Sequence, residues 1–157
     1  MSENVPTVPE LEFLCRFEIL VGQPIEVGTT HAGGRRVIPI LGGKATGPKL
    51  SGSILPGGAD FQLLRSETVT DLDARYVIEA DNGERIYVTN QALRSGSADD
   101  ISSLVRGEHV PAERIYFRCS PRFEVAGREL AWLESTVVVG SGARNPGAVV
   151  IDLWALR

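Results

Sequence analysis

The chain has 157 residues, 43% of them hydrophobic and 23% charged, with a net charge of −4 and a pI near 5.2. That length suits one domain with its own core, and the composition excludes a disordered low-complexity chain. The acidic balance argues against a polyanion binder, because neutralising phosphates takes clustered Lys and Arg; Arg35-Arg36, the one basic doublet, reads as a solvated turn or surface pair, and no nucleic-acid partner is expected.

Residues 1–10 read as a flexible tail, and residues 11–157 as a single domain. Leu11 to Val21 alternates, with Leu11, Phe13, Cys15, Phe17, Ile19 and Val21 on one side, which is the period of a half-buried strand. After Gly22-Gln23-Pro24, Ile25 to Gly28 reads as a short partner strand or an edge. Gly34 to Asp60 is the most constrained text, with strands over about Arg36–Ala45 and Lys49–Leu55. Its glycines sit where a strand must kink or a backbone must pass close, and Pro56-Gly57-Gly58 turns sharply to deliver Asp60 at the next strand start, Ala59 to Arg65.

Thr68 to Ala80 is the strongest strand, with Leu72, Ala74, Tyr76 and Ile78 on one face and Asp71, Asp73 and Arg75 on the other. Asp81-Asn82-Gly83 turns it into its partner, Arg85 to Leu93. Ser97 to Arg106 is the one helical window: Ile101, Leu104 and Val105 recur at helical spacing, and Ser97 with Asp100 forms a capping pattern. It plugs or flanks a barrel end. Arg114–Cys119, Phe123–Val125, Ala131–Gly140 and Ala148–Leu156 complete about ten strands. Short strands with regular turn signals predict a closed antiparallel β-barrel, in which some strands carry polar residues into a lumen.

No run is apolar enough to make a membrane helix and no charged-then-apolar leader opens the chain, so no membrane partner is expected and the cytoplasm is the expected location. Cys15 and Cys119 read as reduced core thiols, and His31 and His109 have no ligand spacing, so no metal is expected. Gly140-Ser141-Gly142 lacks the third glycine and the following helix of a dinucleotide loop. No nucleophile elbow, His-Glu-x-x-His or Cys-x-x-Cys occurs, and no cofactor is expected.

The candidate chemistry is a polar set on strands. Asp60, Asp73 and Arg75 are the candidate catalytic residues; Asp71, Tyr76, Asn90, Arg118, Trp132, Glu134 and Arg144 are candidate ligand contacts. Two readings are open for the Asp71-Asp73-Arg75 face. Pointing inward, it brings carboxylates and a guanidinium into a desolvated space where one acid has a raised pKa; pointing outward, it is a solvated face with cross-strand ion pairs. Arg118 and Arg144 either hold a substrate carboxylate or pair with those aspartates.

Several blocks carry a resemblance: Gly34-Arg35-Arg36 through Ile38-Pro39-Ile40, Leu55-Pro56-Gly57-Gly58-Ala59-Asp60, Leu72-Asp73-Ala74-Arg75-Tyr76, and Tyr116-Phe117-Arg118 with Pro121-Arg122-Phe123-Glu124. Together they resemble the domain-of-unknown-function 3237 family, also catalogued as uncharacterised protein family 0311, over about residues 11 to 155. The resemblance implies a lipocalin-like barrel in small soluble proteins, some encoded beside enzymes of aromatic or organic-acid breakdown. It implies no established activity and no catalytic residues. Cys119 stands where the family is expected to carry a small hydroxyl residue.

Two functions follow as expectations: a cofactor-free enzyme on an aromatic or small organic acid, or a non-catalytic carrier or sensor barrel for a similar ligand. A barrel filled solid would instead be a structural domain. Pairing into a homo-oligomer through an outer face is a further expectation.

Overall fold

The computed structural model describes all 157 residues. Its strands are β1 (Leu11–Val21), β2 (Ile25–Thr30), β3 (Gly33–Thr46), β4 (Gly52–Ile54), β5 (Ala59–Leu64), β6 (Val69–Ala80), β7 (Arg85–Ser95), β8 (Tyr116–Ala126), β9 (Val138–Asn145) and β10 (Ala148–Leu156). One helix, α1 (Ala98–Val105), lies between β7 and β8. Eight strands close an antiparallel barrel in the order β1-β10-β9-β8-β7-β6-β4-β3, with β3 returning to β1 from Arg16↔Thr46 to Val21↔Ile40. Two strands stand off that circuit. β2 pairs with the first part of β3, and β5 fills the space between β3 and β6 beyond the end of β4.

The hairpin between β6 and β7 is a three-residue loop. Ala80 N–H donates to Glu84 O at 2.8 Å, the Asn82 side chain accepts from Glu84 N–H, and only Gly83 is left-handed, at φ +88°. Asn82 therefore serves as a side-chain acceptor rather than as half of a two-residue turn.

The expected Lys49–Leu55 strand shortens to β4, β7 runs on past Leu93 to Ser95, and two later strands differ more. Arg114–Cys119 and Phe123–Val125 are one continuous strand, β8, running through Pro121. Pairing with β9 stops at Cys119↔Gly140, so no ladder on that side needs a Pro121 N–H. The predicted Ala131–Gly140 strand is a 3-10 turn over Ala131–Ser135 followed by β9. Its fully buried Leu133, with Leu130 and Trp132 beside it, seals one end of the barrel.

Helix α1 sits at the other end. The Ser97 hydroxyl accepts from Asp100 N–H at 3.1 Å, and Asp100 receives the Arg114 guanidinium. Ile101 and Leu104 bury with Val110 in a small separate cluster. The main core occupies the sealed half, where Ile78, Ile86, Val88 and Leu153 are fully buried and the Phe17 and Tyr76 rings meet edge to face at 6.3 Å. Burying such side chains is the dominant favourable contribution to folding. Cys15 and Cys119 are buried and unpaired. No helix is long and apolar enough to cross a membrane.

Candidate functional site

Alternation decides what enters the lumen. On β7, Ile86, Val88, Asn90, Ala92 and Arg94 share the inner face; on β5 it is Asp60 and Gln62, on β3 Arg36, Ile38 and Ile40, and on β9 Arg144. Toward the sealed end these positions are aliphatic. Toward α1 they turn polar: Arg36, Gln62, Asn90 and Arg94 are each 5% exposed or less. A polar half-lumen above an aliphatic floor is the consequence.

An internal cavity of about 50 Å³ lies there, bordered by Asp60, Gln62, Asn90, Arg94, Arg144 and Phe117 among aliphatic side chains. Val21, Ile38, Gln62, Arg94 and Arg144 also border a cleft of about 730 Å³ between the start of β2, the end of α1 and the β9–β10 turn. The cavity admits a head group, and the cleft has room for the body of a larger molecule. Arg36 ties the rim together, donating from Nη2 to the Val105 carbonyl at 3.3 Å and pairing with Glu26 at 2.9 Å.

Charge in the lumen is poorly matched. Arg94 makes no hydrogen bond or ion pair within the chain; its guanidinium lies 6.0 Å from the Phe117 ring centre, and its Nε is sealed without a partner. Burial pulls its pKa down to about 10, opposed by Asp60 and reinforced by Arg144 and Arg36. Asp60 accepts one hydrogen bond, from Gln62 Nε2 at 2.8 Å, while its Oδ1 is buried and unpartnered. Gln62 Oε1, Asn90 Oδ1, Tyr76 Oη and Thr70 Oγ1 are sealed and unpartnered as well. So many unmet groups in one place are costly to an empty core.

The sequence-predicted residues divide among three places. Asp60, Asn90 and Arg144 border the cavity, and Tyr76 lies beneath it beside Asn90. Asn90 stands in the middle of β7, which runs on to Ser95, rather than at a strand end. Arg144 spends one amino group on the Asn145 and Ala148 carbonyls.

Asp71, Asp73 and Arg75 face out: Asp73 and Arg75 pair with each other at 3.3 Å, with side chains 37% and 48% exposed, and Asp71 pairs with Arg65. Their parity opposite Leu72, Ala74 and Tyr76 puts them there, so the solvated reading describes this face. Arg118 is outside too, bonded to Ser141 Oγ at 3.0 Å and lying over Tyr116, in a shallow groove shared with Asp71 and Asp73.

Trp132 and Glu134 lie on the 3-10 turn at the sealed end, away from the lumen. Trp132 packs on the core beneath Arg157, and Glu134 accepts from Val125 N–H.

Residues 9–156 match the family model described as protein of unknown function (DUF3237). A UPF0311 protein of Rhodopseudomonas palustris is 40% identical over 148 residues, covering 94% of this chain and 96% of its own. The chain belongs to the DUF3237 family. The crystal structure of a Rhodopseudomonas palustris conserved protein of unknown function covers 98% of this chain and all of its own at 38% identity, with a TM-score of 0.90. A beta-barrel like protein of Acinetobacter baumannii covers 99% of this chain and all of its own at 37% identity, with a TM-score of 0.86. An enzyme from Penicillium herquei shares the fold at a TM-score of 0.72 and 19% identity, covering 99% of this chain and all of its own.

Sequence reasoning about this DUF3237 chain missed Arg36, Gln62 and Arg94. Arg36 has the look of half a surface doublet, yet it alternates with Ile38 and Ile40 and is buried. Arg94 lies one step beyond the predicted end of its strand, in register with Val88 and Asn90, and Gln62 is two positions from Asp60. Strand parity alone finds Arg36 and Gln62, and extending it one residue past Leu93 finds Arg94.

Asp60 also makes stability depend on pH. Burial raises its pKa; the Gln62 hydrogen bond, the Arg94 charge and the Asp73 backbone N–H lower it by less, and the Asp73 carboxylate, outside on β6, opposes them least. The native state therefore holds its proton more tightly than the unfolded chain does. Between the ordinary aspartate range and the raised native value, stability falls as pH rises, and above that window the cost of an ionised buried carboxyl is fully carried. Asp60→Asn removes this dependence. The variant is expected to gain on the wild type as pH rises through the window, in urea unfolding midpoints taken over about pH 4 to 8. A wild-type–variant difference that does not change with pH would contradict it.

Proposed function

We propose that this DUF3237 protein handles a small organic acid, aromatic or aliphatic, whose carboxylate enters the barrel cavity while its body lies in the cleft beneath α1. The observation that carries this reading is Arg94, a cation 3% exposed with no hydrogen bond or ion pair inside the chain. A carboxylate in the cavity supplies two acceptors for a guanidinium fork and offsets its burial. Arg144, partly buried at the same cavity, adds positive potential, and the lining of Ile38, Leu72 and Val149 suits an apolar body.

In the catalytic form of this reading, Asp60 is the acid–base group, cofactor-free, with a pKa raised by burial toward the working range of a general acid. Of the aspartates singled out in the sequence it is the one at the cavity. In the non-catalytic form the same residues only hold the ligand, as in a carrier or sensor. The Penicillium herquei neighbour is an enzyme, which supports keeping the catalytic form and says nothing of a substrate.

Millimolar benzoate, phenylacetate and short aliphatic acids are expected to raise the melting temperature, while benzamide and other neutral amides of the same shape do not. Asp73→Asn and Arg75→Gln, on the outer face, are expected to leave that shift unchanged. A panel in which no acid shifts the transition would end the proposal. Mass spectrometry of the incubated acids separates the two forms: a new product marks an enzyme, unchanged ligand a carrier.

A further inference from the structure

Counting donors and acceptors in the lumen narrows the ligand further. Gln62 is oriented by its own hydrogen bond: its Nε2 donates to Asp60 Oδ2 at 2.8 Å, so its Oε1 is held as an acceptor, and that oxygen is sealed and unpartnered. Asp60 Oδ1 and Asn90 Oδ1 are in the same condition. The cavity thus presents three unmet oxygens on β5 and β7 beside one unmet guanidinium, Arg94, within about 50 Å³. A bare carboxylate satisfies Arg94 alone. It leaves the three acceptors unmet, each at the cost of a buried polar group without a partner.

Resting on the acid-binding reading above, we propose that the cavity selects a hydroxycarboxylic acid, its carboxylate on Arg94 and its hydroxyl on Asp60 Oδ1, with Gln62 Oε1 and Asn90 Oδ1 beside it as specificity-determining acceptors. A hydroxyl suits Asp60 in either protonation state, donating to the carboxylate or accepting from the carboxylic acid. Arg94 and Asp60 border one small cavity without meeting as an ion pair, so carboxylate and hydroxyl are separate groups at one end of a short ligand and the rest of the molecule points into the cleft. Sites built to hydrogen-bond a ligand hydroxyl reject the analogue that lacks it, because their own buried groups are then left unpaired.

Calorimetric titration of matched pairs tests this: mandelate against phenylacetate, salicylate against benzoate, and 3-hydroxybutyrate against butyrate. The hydroxyl member of at least one pair is expected to bind about tenfold tighter or more, from the usual cost of an unpaired buried group. In Asp60→Asn, confirmed folded by its melting curve, that preference is expected to shrink several-fold, because the carboxyl that bonds the hydroxyl is replaced by a weaker amide partner. Equal or reversed affinities in all three pairs would overturn the hydroxyl assignment and leave acid binding standing. Absence of binding by every acid would remove both. Should Asp60→Asn fail to fold, the wild-type pairs decide alone.

Discussion

Gly43→Ala is expected to destabilise the barrel by about 3 kcal/mol or more, the sum of a strained backbone and a steric overlap. Gly43 sits where β3 closes on β1, opposite Ile19, with φ at +150°. A methyl group there would overlap the Glu18 carbonyl oxygen and press on Ile19 Cα at 3.1 Å, both backbone atoms with no rotamer to yield. Relief requires the two closing strands to separate, and their ladder from Arg16↔Thr46 to Val21↔Ile40 is what makes the sheet a tube. Gly57→Ala is the control. Gly57 is also left-handed, at φ +110°, but nothing lies within 4 Å of an added methyl. It is expected to cost about 1 kcal/mol from backbone strain alone. Thermal melts should separate the two variants by roughly 4 °C or more. Equal losses would mean that the close approach of β1 to β3 does not constrain this position.

That glycine belongs to the part of the fold the sequence spells out. A Cβ-free residue amid β-branched neighbours has few structural uses besides a bend or a close approach, so the Gly34–Asp60 stretch reads as barrel corners from its sequence alone. Period-two alternation in β1, β6 and β7 is equally plain, because a strand with one buried face has to alternate. Gly140 and Gly142 show the same logic in a segment whose motif meant nothing chemically. They lie in β9, where added methyl groups would strike Cys119 Sγ and the Phe117 ring, so their purpose is packing.

The site is harder to read for a physical reason. Binary patterning marks charged residues as outward, and that rule is right for Asp71, Asp73 and Arg75 but misleading for Arg36 and Arg94, whose burial defies it. Charge identity therefore competes with strand parity, and in the lumen parity wins. Trp132 and Glu134 went astray differently: the alternating text of Ala131–Gly140 conceals a 3-10 turn whose Leu133 is wanted as a plug. Tertiary demand for an end seal overrides local β preference there.

Arg94→Met should separate folding from function in the clearest way, raising the stability of the empty protein while removing its affinity for acids. Methionine keeps much of the length and volume of the arginine stem and carries no charge to desolvate. Arg94 has no hydrogen bond within the chain, with the Phe117 ring 6.0 Å away and the Asp60 charge as modest compensation. Replacing buried charges by apolar groups of similar volume is commonly neutral or stabilising by about 1–4 kcal/mol, and an unpaired cation belongs at the favourable end. Asp60 does not reverse the sign. Without Arg94 it loses a neighbour that lowers its pKa, so its proton is held more firmly. Binding moves the opposite way: losing the guanidinium leaves a ligand carboxylate buried with Arg144 at the rim, and a loss of about 100-fold or more is expected, equivalent to roughly 3 kcal/mol. Urea midpoints of the unliganded proteins and calorimetry with the tightest acid measure the two halves. A variant that unfolds more easily than wild type without ligand would show that Arg94 is satisfied in the empty barrel, and the reason for placing an anion beside it would be gone.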